Sequence, residues 1–188
     1  MNRFYKLKNI LLVAIFIFTA DHITKWLIVK NIPLGGEINV IPNIFEIVHG
    51  RNSGAAFGFL SGWDSPARNW FFYIIGVAAL FFLYHYAKSL AKDDKLSLFA
   101  LGLITGGAMG NIFDRILRGN VVDFLSFHYH HKIWKIDLFG MRAIIPLDWP
   151  AFNVADSAIS IAVCLLIIQN IRQGLKHDNR TNESKTVK

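Results

Sequence analysis

Four stretches of about 20 mainly apolar residues, near 10–29, 70–87, 96–117 and 152–171, constrain this 188-residue chain more than any other feature. A helix of that length crosses the hydrocarbon core of a bilayer. In lipid the backbone must satisfy its own hydrogen bonds, which a helix does within one segment. Composition agrees: 53% of residues are hydrophobic and 18% charged, against roughly 45–50% and about 25% in soluble domains. The expected fold is an α-helical integral membrane protein with four transmembrane helices. They form one domain, 1–175, and the polar end 176–188, "KHDNRTNESKTVK", is expected to be a disordered cytoplasmic tail.

The net charge of +7 sits in short clusters that flank the apolar runs. Eleven of the 20 Lys and Arg residues lie in the N-terminus (Arg3, Lys6, Lys8), the short loop (Lys88, Lys92, Lys95) and the tail (Arg172, Lys176, Arg180, Lys185, Lys188). By the positive-inside rule these segments are cytoplasmic, and the long loops 30–69 and 118–151 face outward. Trp26, Trp63, Trp70, Trp134 and Trp149 then fall near the outer interface. No basic stripe suggests a nucleic-acid partner. The N-terminus has the basic start and apolar core of a signal peptide but no small-residue cleavage site, so it reads as a retained first helix. Cys164 is the single cysteine, which excludes a disulfide within the chain. The outward loops mix β-branched alternation with Gly and Pro breaks, which predicts a small outward-facing β-sheet. "SPARNWFF" predicts the start of an interfacial helix, and "KIWKIDLFGMRAIIPL" two short strands around Phe139, Gly140 and Met141.

Charged residues at the centre of a span cost roughly 2.5–3.5 kcal/mol each on insertion scales, so those present point to function. Asp21, Lys25, Asp114, Arg115 and Asp156 are such residues, and all lie toward the outward end of their span. Asp21 and Lys25 are four apart and can pair along one helix. Asn153, Asp156, Ser157 and Ser160 form one polar stripe. Gly102, Gly106 and Gly110 repeat every fourth residue, beside Gly107, and admit either another helix or a substrate chain. Asn111 and Arg115 continue that side of the helix.

No Ser–His arrangement stands out in the spans. His128, His130 and His131 form a loop cluster without a carboxylate at helical spacing, so no metal and no cofactor is expected. Paired carboxylates remain. Two held close share a proton. The ionised one can then activate water while the protonated one polarises a peptide carbonyl. Spacing leaves the pair open. Asp114 has Arg115 and Arg118 nearby, which suits an ion pair. Asp123 follows the turn at Gly119-Asn120, near where Asp156 enters the fourth helix. A proton relay through Asp21, Asp114 and Asp156, or a non-catalytic scaffold, are the other readings. The relay is disfavoured because the carboxylates gather at one depth.

The segments "DHITKWLI", "RNSGAAFGFL", "GGAMGNIFDRILRGNVVDF" and "PAFNVADSAI" carry a family resemblance. The chain resembles lipoprotein signal peptidase (signal peptidase II), a bacterial membrane aspartic protease family. The resemblance implies Asp123 and Asp156 as catalytic dyad. It implies Asn52, Gly54, Gly107, Asn111, Arg115 and Asn153 as residues that line the site, with Asp21 and Lys25 as structural support; Asp114, beside Arg115 and Arg118, is expected to be structural support as well. The implied substrate is a prolipoprotein carrying diacylglyceryl-cysteine, cut just before that cysteine. Globomycin-type inhibitors and membrane lipid are the other implied partners, and the bacterial inner membrane is the implied location. The sheet would cradle substrate and an interfacial helix would act as a lid. The loop between Asp123 and Asp156 looks longer than is usual for the family.

Overall fold

The computed structural model describes residues 2–54, 66–138 and 141–186, with side chains described for 4–54, 67–129 and 147–175. In chain order the described elements are α1 (Asn2–Asn31), β1 (Glu37–Ile41), β2 (Phe45–Asn52), α2 (Pro66–Ser89), α3 (Lys95–Arg118), β3 (Val121–Leu138), β4 (Met141–Phe152) and α4 (Val154–Thr186). Phe4–Asn31, Ala67–Ser89, Lys95–Arg118 and Val154–Leu175 are long and apolar enough to cross a membrane. The four apolar runs therefore become four helices. The last begins two residues later than expected, because Phe152 closes β4 and Asn153 precedes the helix. The tail expected to be disordered carries helical backbone as far as Thr186. Past Pro150 the sequence holds no proline, and Gly174 is its one glycine, so little in it breaks a helix already propagating from the span.

α3 is the central helix and packs against α1, α2 and α4. Asp94 caps its start, accepting from the Ser97 backbone N–H at 3.1 Å and from the Ser97 hydroxyl at 2.8 Å. Gly119 ends it in the left-handed conformation (φ 73°), its N–H donating to the Arg115 carbonyl. The glycine stripe serves helix packing. A Cβ on Gly106 would stand 2.6 Å from the Ala14 carbonyl oxygen of α1, and one on Gly107 equally close to the Ala155 carbonyl oxygen of α4. Both backbones approach because the side chain is missing.

The strands form one antiparallel sheet in the order β1-β2-β3-β4. The two short strands expected around Phe139-Gly140-Met141 are instead parts of one long ladder, paired from Leu125 with Phe152 to Leu138 with Met141. The polar "HYHHK" interrupts the sequence alternation, but the backbone carries the ladder past it by a shift of register between His128 and Ile133. Residues 139–140, at the tip, lie outside the described residues. The expected interfacial helix is not a separate element where it is described: from Pro66 the chain is already α2, unbroken to Ser89. Proline at a first helical position has its φ preset and no N–H to lose. Residues 55–65, which hold the rest of that expected lid, also lie outside the described residues.

Apolar side chains fasten the sheet to the bundle. Ile28 and Ile32, at the end of α1, are buried against Val122 and Phe124 of β3, with Ile47, Leu125 and Val154 packed around them. Each such side chain contributes about 1.5–3 kcal/mol by burial. This contact fixes the start of β3 over the ends of α1 and α4.

Candidate active site

Asp123 is the third residue of β3, and Asp156 lies in the first turn of α4. Asn153 brings them together. Its side-chain Nδ2 donates to Asp123 Oδ1 at 2.7 Å, while its backbone N–H donates to Asp156 Oδ2 at 3.2 Å. Its Oδ1 accepts in turn from the Asp156 backbone N–H at 3.0 Å. This reciprocal bonding is a capping box, the arrangement that starts a helix with a short polar residue and an acid three positions on. The spacing Asn153–Asp156 is thus readable as a helix start, a signal that the polar-stripe reading overlooks.

The other oxygens are held from two further elements. Asn52, the last residue of β2, donates to Asp123 Oδ2 at 3.0 Å, and its own Oδ1 accepts from the Gly54 backbone N–H at 2.9 Å. Asn111 of α3 donates to Asp156 Oδ1 at 2.8 Å. Each of the four carboxylate oxygens therefore faces at least one donor. Both aspartates line a cleft of about 860 Å³, together with Asn52, Asn111, Arg115 and Ser160, and walled by Trp149 and Phe152. The sequence reading does not include Trp149 and Phe152 among the site residues. They reach the cleft because β4 pairs with the strand that carries Asp123.

Arg115 is held by its Nη2, which donates to the Gly54 carbonyl at 2.7 Å, and by the Phe72 ring, whose centroid is 4.3 Å from the guanidinium carbon. Its Nε is buried and has no hydrogen-bond partner among the described residues. Gly54 is buried beside the cleft and takes part through its backbone. Gly107 is placed differently from the site-lining position implied by the family resemblance. It sits in the contact between α3 and α4, where only a missing side chain fits, and is not among the cleft walls.

Asp114 does not meet Asp123 or Asp156. It is fully buried, paired with Arg118 and 3.2 Å from Lys25 Nζ. Lys25 also pairs with Asp21 at 2.7 Å, as their spacing predicts. His128, from the histidine cluster, faces Glu46 at 3.3 Å. The side chains of His130 and His131 lie outside those described.

Burial pushes the Asp123 carboxyl up from 3.8 to about 6, and the charge of Asp156 adds to the rise. The Asn52 and Asn153 donors and the Lys25 charge pull it partly back. Asp123 thus binds its proton more tightly in the folded protein than in the unfolded chain. Wild-type stability accordingly falls as pH rises from about 4 to about 6, by about 3 kcal/mol at 1.36 kcal/mol per unit. Asp123→Asn removes that titration. In thermal unfolding in detergent, the variant is expected to gain on wild type between pH 4 and 7. An unchanged difference across that range would show that Asp123 is not the group responsible.

The fold and this site define a multi-pass membrane protein with a carboxylate-bearing cleft where a small sheet meets the ends of its spanning helices. A family model described as "Signal peptidase (SPase) II" matches residues 13–172. The chain belongs to the signal peptidase II family, and so to the peptidases. It is also similar to two solved structures, each described as a bacterial membrane enzyme determined by the in meso method. One, at 2.3 Å resolution, is 34% identical with a TM-score of 0.70, over 88% of this chain and 88% of that one. The other, at 1.9 Å, is 35% identical with a TM-score of 0.65, over 85% of this chain and 90% of the other.

Proposed function

We propose that this protein is an aspartic endopeptidase that removes signal peptides from diacylglyceryl-modified prolipoproteins, with Asp123 and Asp156 activating water. The observation that carries the reading is Asn153, which bonds both carboxylates where they line one cleft. Two carboxylates held by one residue share a proton more readily than they both ionise. Burial makes Asp123 the natural holder of that proton.

Water bound between them attacks the scissile carbonyl carbon and gives a proton to Asp156. The proton on Asp123 passes to the carbonyl oxygen, leaving a neutral tetrahedral diol. The diol then collapses. Asp156 returns its proton to the leaving nitrogen, the C–N bond breaks, and Asp123 recovers its proton from the diol. Asn52, Asn111 and Asn153 hold the carboxylates in place throughout. Arg115, held by the Gly54 carbonyl and the Phe72 ring, brings a positive charge to the cleft wall.

The cut falls just before the lipid-bearing cysteine, so the substrate reaches the cleft from the bilayer while water reaches it from the sheet side. This reading puts the site near the outer face of the bacterial inner membrane, with both termini cytoplasmic. Incubation of the purified protein in lipid with a diacylglyceryl prolipoprotein tests it. Release of the signal peptide with a new N-terminal lipid-modified cysteine, blocked by globomycin, is the expected result. Equal cleavage of the precursor without lipid would remove the substrate assignment, and no cleavage of either would remove the activity.

A further inference from the structure

Asp21, Lys25 and Asp114 are fully buried, and none is a wall of the cleft. Each nevertheless ends on a group next to a reacting carboxylate. Asp21 Oδ1 accepts from the backbone N–H of Ala155 at 3.0 Å, one residue before Asp156. Asp114 Oδ2 accepts from the backbone N–H of Val122 at 3.1 Å, one residue before Asp123. Lys25 Nζ touches both acids and also donates to Asn111 Oδ1 at 3.0 Å.

The last contact has a directional consequence. An asparagine amide has one accepting and one donating end. Lys25 can only donate, so it takes the accepting end at 3.0 Å, which Asn153 Nδ2 approaches more loosely at 3.4 Å, and turns the Asn111 NH2 onto Asp156 Oδ1. With the amide reversed, Lys25 would face the NH2 and Asp156 the oxygen, both unfavourable. The buried ammonium has three donors; the two carboxylates take two of them and Asn111 Oδ1 the third, so the reacting pair is coupled to the cluster through that third bond.

We infer that Lys25 is a positioning residue for the hydrolytic pair: through the fixed direction of the Asn111 amide it sets the donor that orients Asp156, and through Asp114 it steadies the start of the strand that carries Asp123. The inference rests on the peptidase reading above. Around Lys25 the charged groups are Asp21 on its own helix and Asp114 and Arg118 on α3.

The test is the charge-neutral double variant Asp21→Asn/Lys25→Met. The introduced asparagine keeps an oxygen for the Ala155 N–H, and cation and anion leave together, so no net buried charge is created. The expected result is a kcat at least tenfold lower with KM within twofold of wild type. The limb on which activity falls with rising pH should also move upward, because Lys25, whose charge favours ionised Asp123, is gone. A purely structural role would lower thermal stability and leave both readouts unchanged in the folded fraction. Wild-type kcat and pH profile in the double variant overturn the proposal. Should that variant fail to fold, the isosteric Asn111→Asp decides. It keeps the acceptor for Lys25 and loses the donor to Asp156, so a wild-type kcat there also overturns it. The peptidase reading fails separately, if the wild-type protein releases no signal peptide from a diacylglyceryl prolipoprotein, and the dyad fails by persistent cleavage in Asp156→Asn.

Discussion

Asp123→Asn and Asp156→Asn are each expected to reduce prolipoprotein cleavage by about 10²–10⁴-fold, the range typical of a lost general acid or base. The fall should appear in kcat with KM nearly unchanged, since neither group is needed to hold the ground-state substrate. The substitutions keep shape but not protonation chemistry. At position 123 both oxygens face amide donors whose other ends are already occupied, Asn52 by the Gly54 N–H and Asn153 by the Asp156 N–H. An introduced asparagine therefore turns its own NH2 toward one of them and loses one hydrogen bond, about 1 kcal/mol. Removal of a buried titrating acid offsets that loss above pH 6. The variants should consequently insert and fold, which helical content and thermal unfolding in detergent would verify. Substantial cleavage by either folded variant would sink the dyad.

Asp114→Asn is expected to do the opposite: a large loss of stability with most of the turnover retained. Asp114 is fully buried and accepts from three directions, Lys25, Arg118 and the Val122 N–H. Asparagine can still accept from the Val122 N–H, so the start of β3 stays in register. It cannot neutralise Lys25 and Arg118, and breaking a buried ion pair from one side costs about 3–5 kcal/mol. Thermal unfolding should register the loss. Cleavage assayed well below the new midpoint should stay within about tenfold of wild type, a change of about 1.4 kcal/mol in barrier. A stable but inactive Asp114→Asn would identify Asp114 as a reacting carboxylate and displace Asp123.

The two variants separate carboxylates that lie only nine positions apart in the chain. Much about them is legible beforehand. A charged group inside an apolar run has few tolerable environments, so Asp21, Lys25 and Asp114 have to find partners. The Asp21–Lys25 pair follows from helix periodicity alone. Asn111 and Arg115 share a helix side at four-residue spacing and do touch, Arg115 Nη1 lying 3.3 Å from the Asn111 carbonyl. The glycine stripe leaves two uses open, and packing against α1 and α4 is the one found.

Other features are legible only in part. The hairpin about Phe139-Gly140-Met141 is legible, but the length of its β3–β4 ladder is concealed by the polar histidine stretch and the register shift. Trp149 and Phe152 join the cleft through that ladder and not through any local pattern. Gly107 shows how a close helix contact adds to what a family match suggests. Its match to a site-lining family position suggests a cleft wall, whereas its place beside the Ala155 carbonyl makes it a packing contact.

By itself the sequence determined that the chain holds four long apolar helices, and the set of costly polar groups from which any site had to be built. It could do so because hydrocarbon offers the backbone and the charges no water, which ties local composition directly to local structure. Which carboxylates meet was decided only by the tertiary structure. Asp114 turns inward to Lys25, while Asp123, past the turn at Gly119, runs along a strand to Asn153 and the mouth of α4. That choice depends on which face of α3 meets α1 and on where β3 lands over α4. Both are set by contacts between residues far apart in the chain, such as Val122 and Phe124 against Ile28 and Ile32, whose pairing no local spacing encodes.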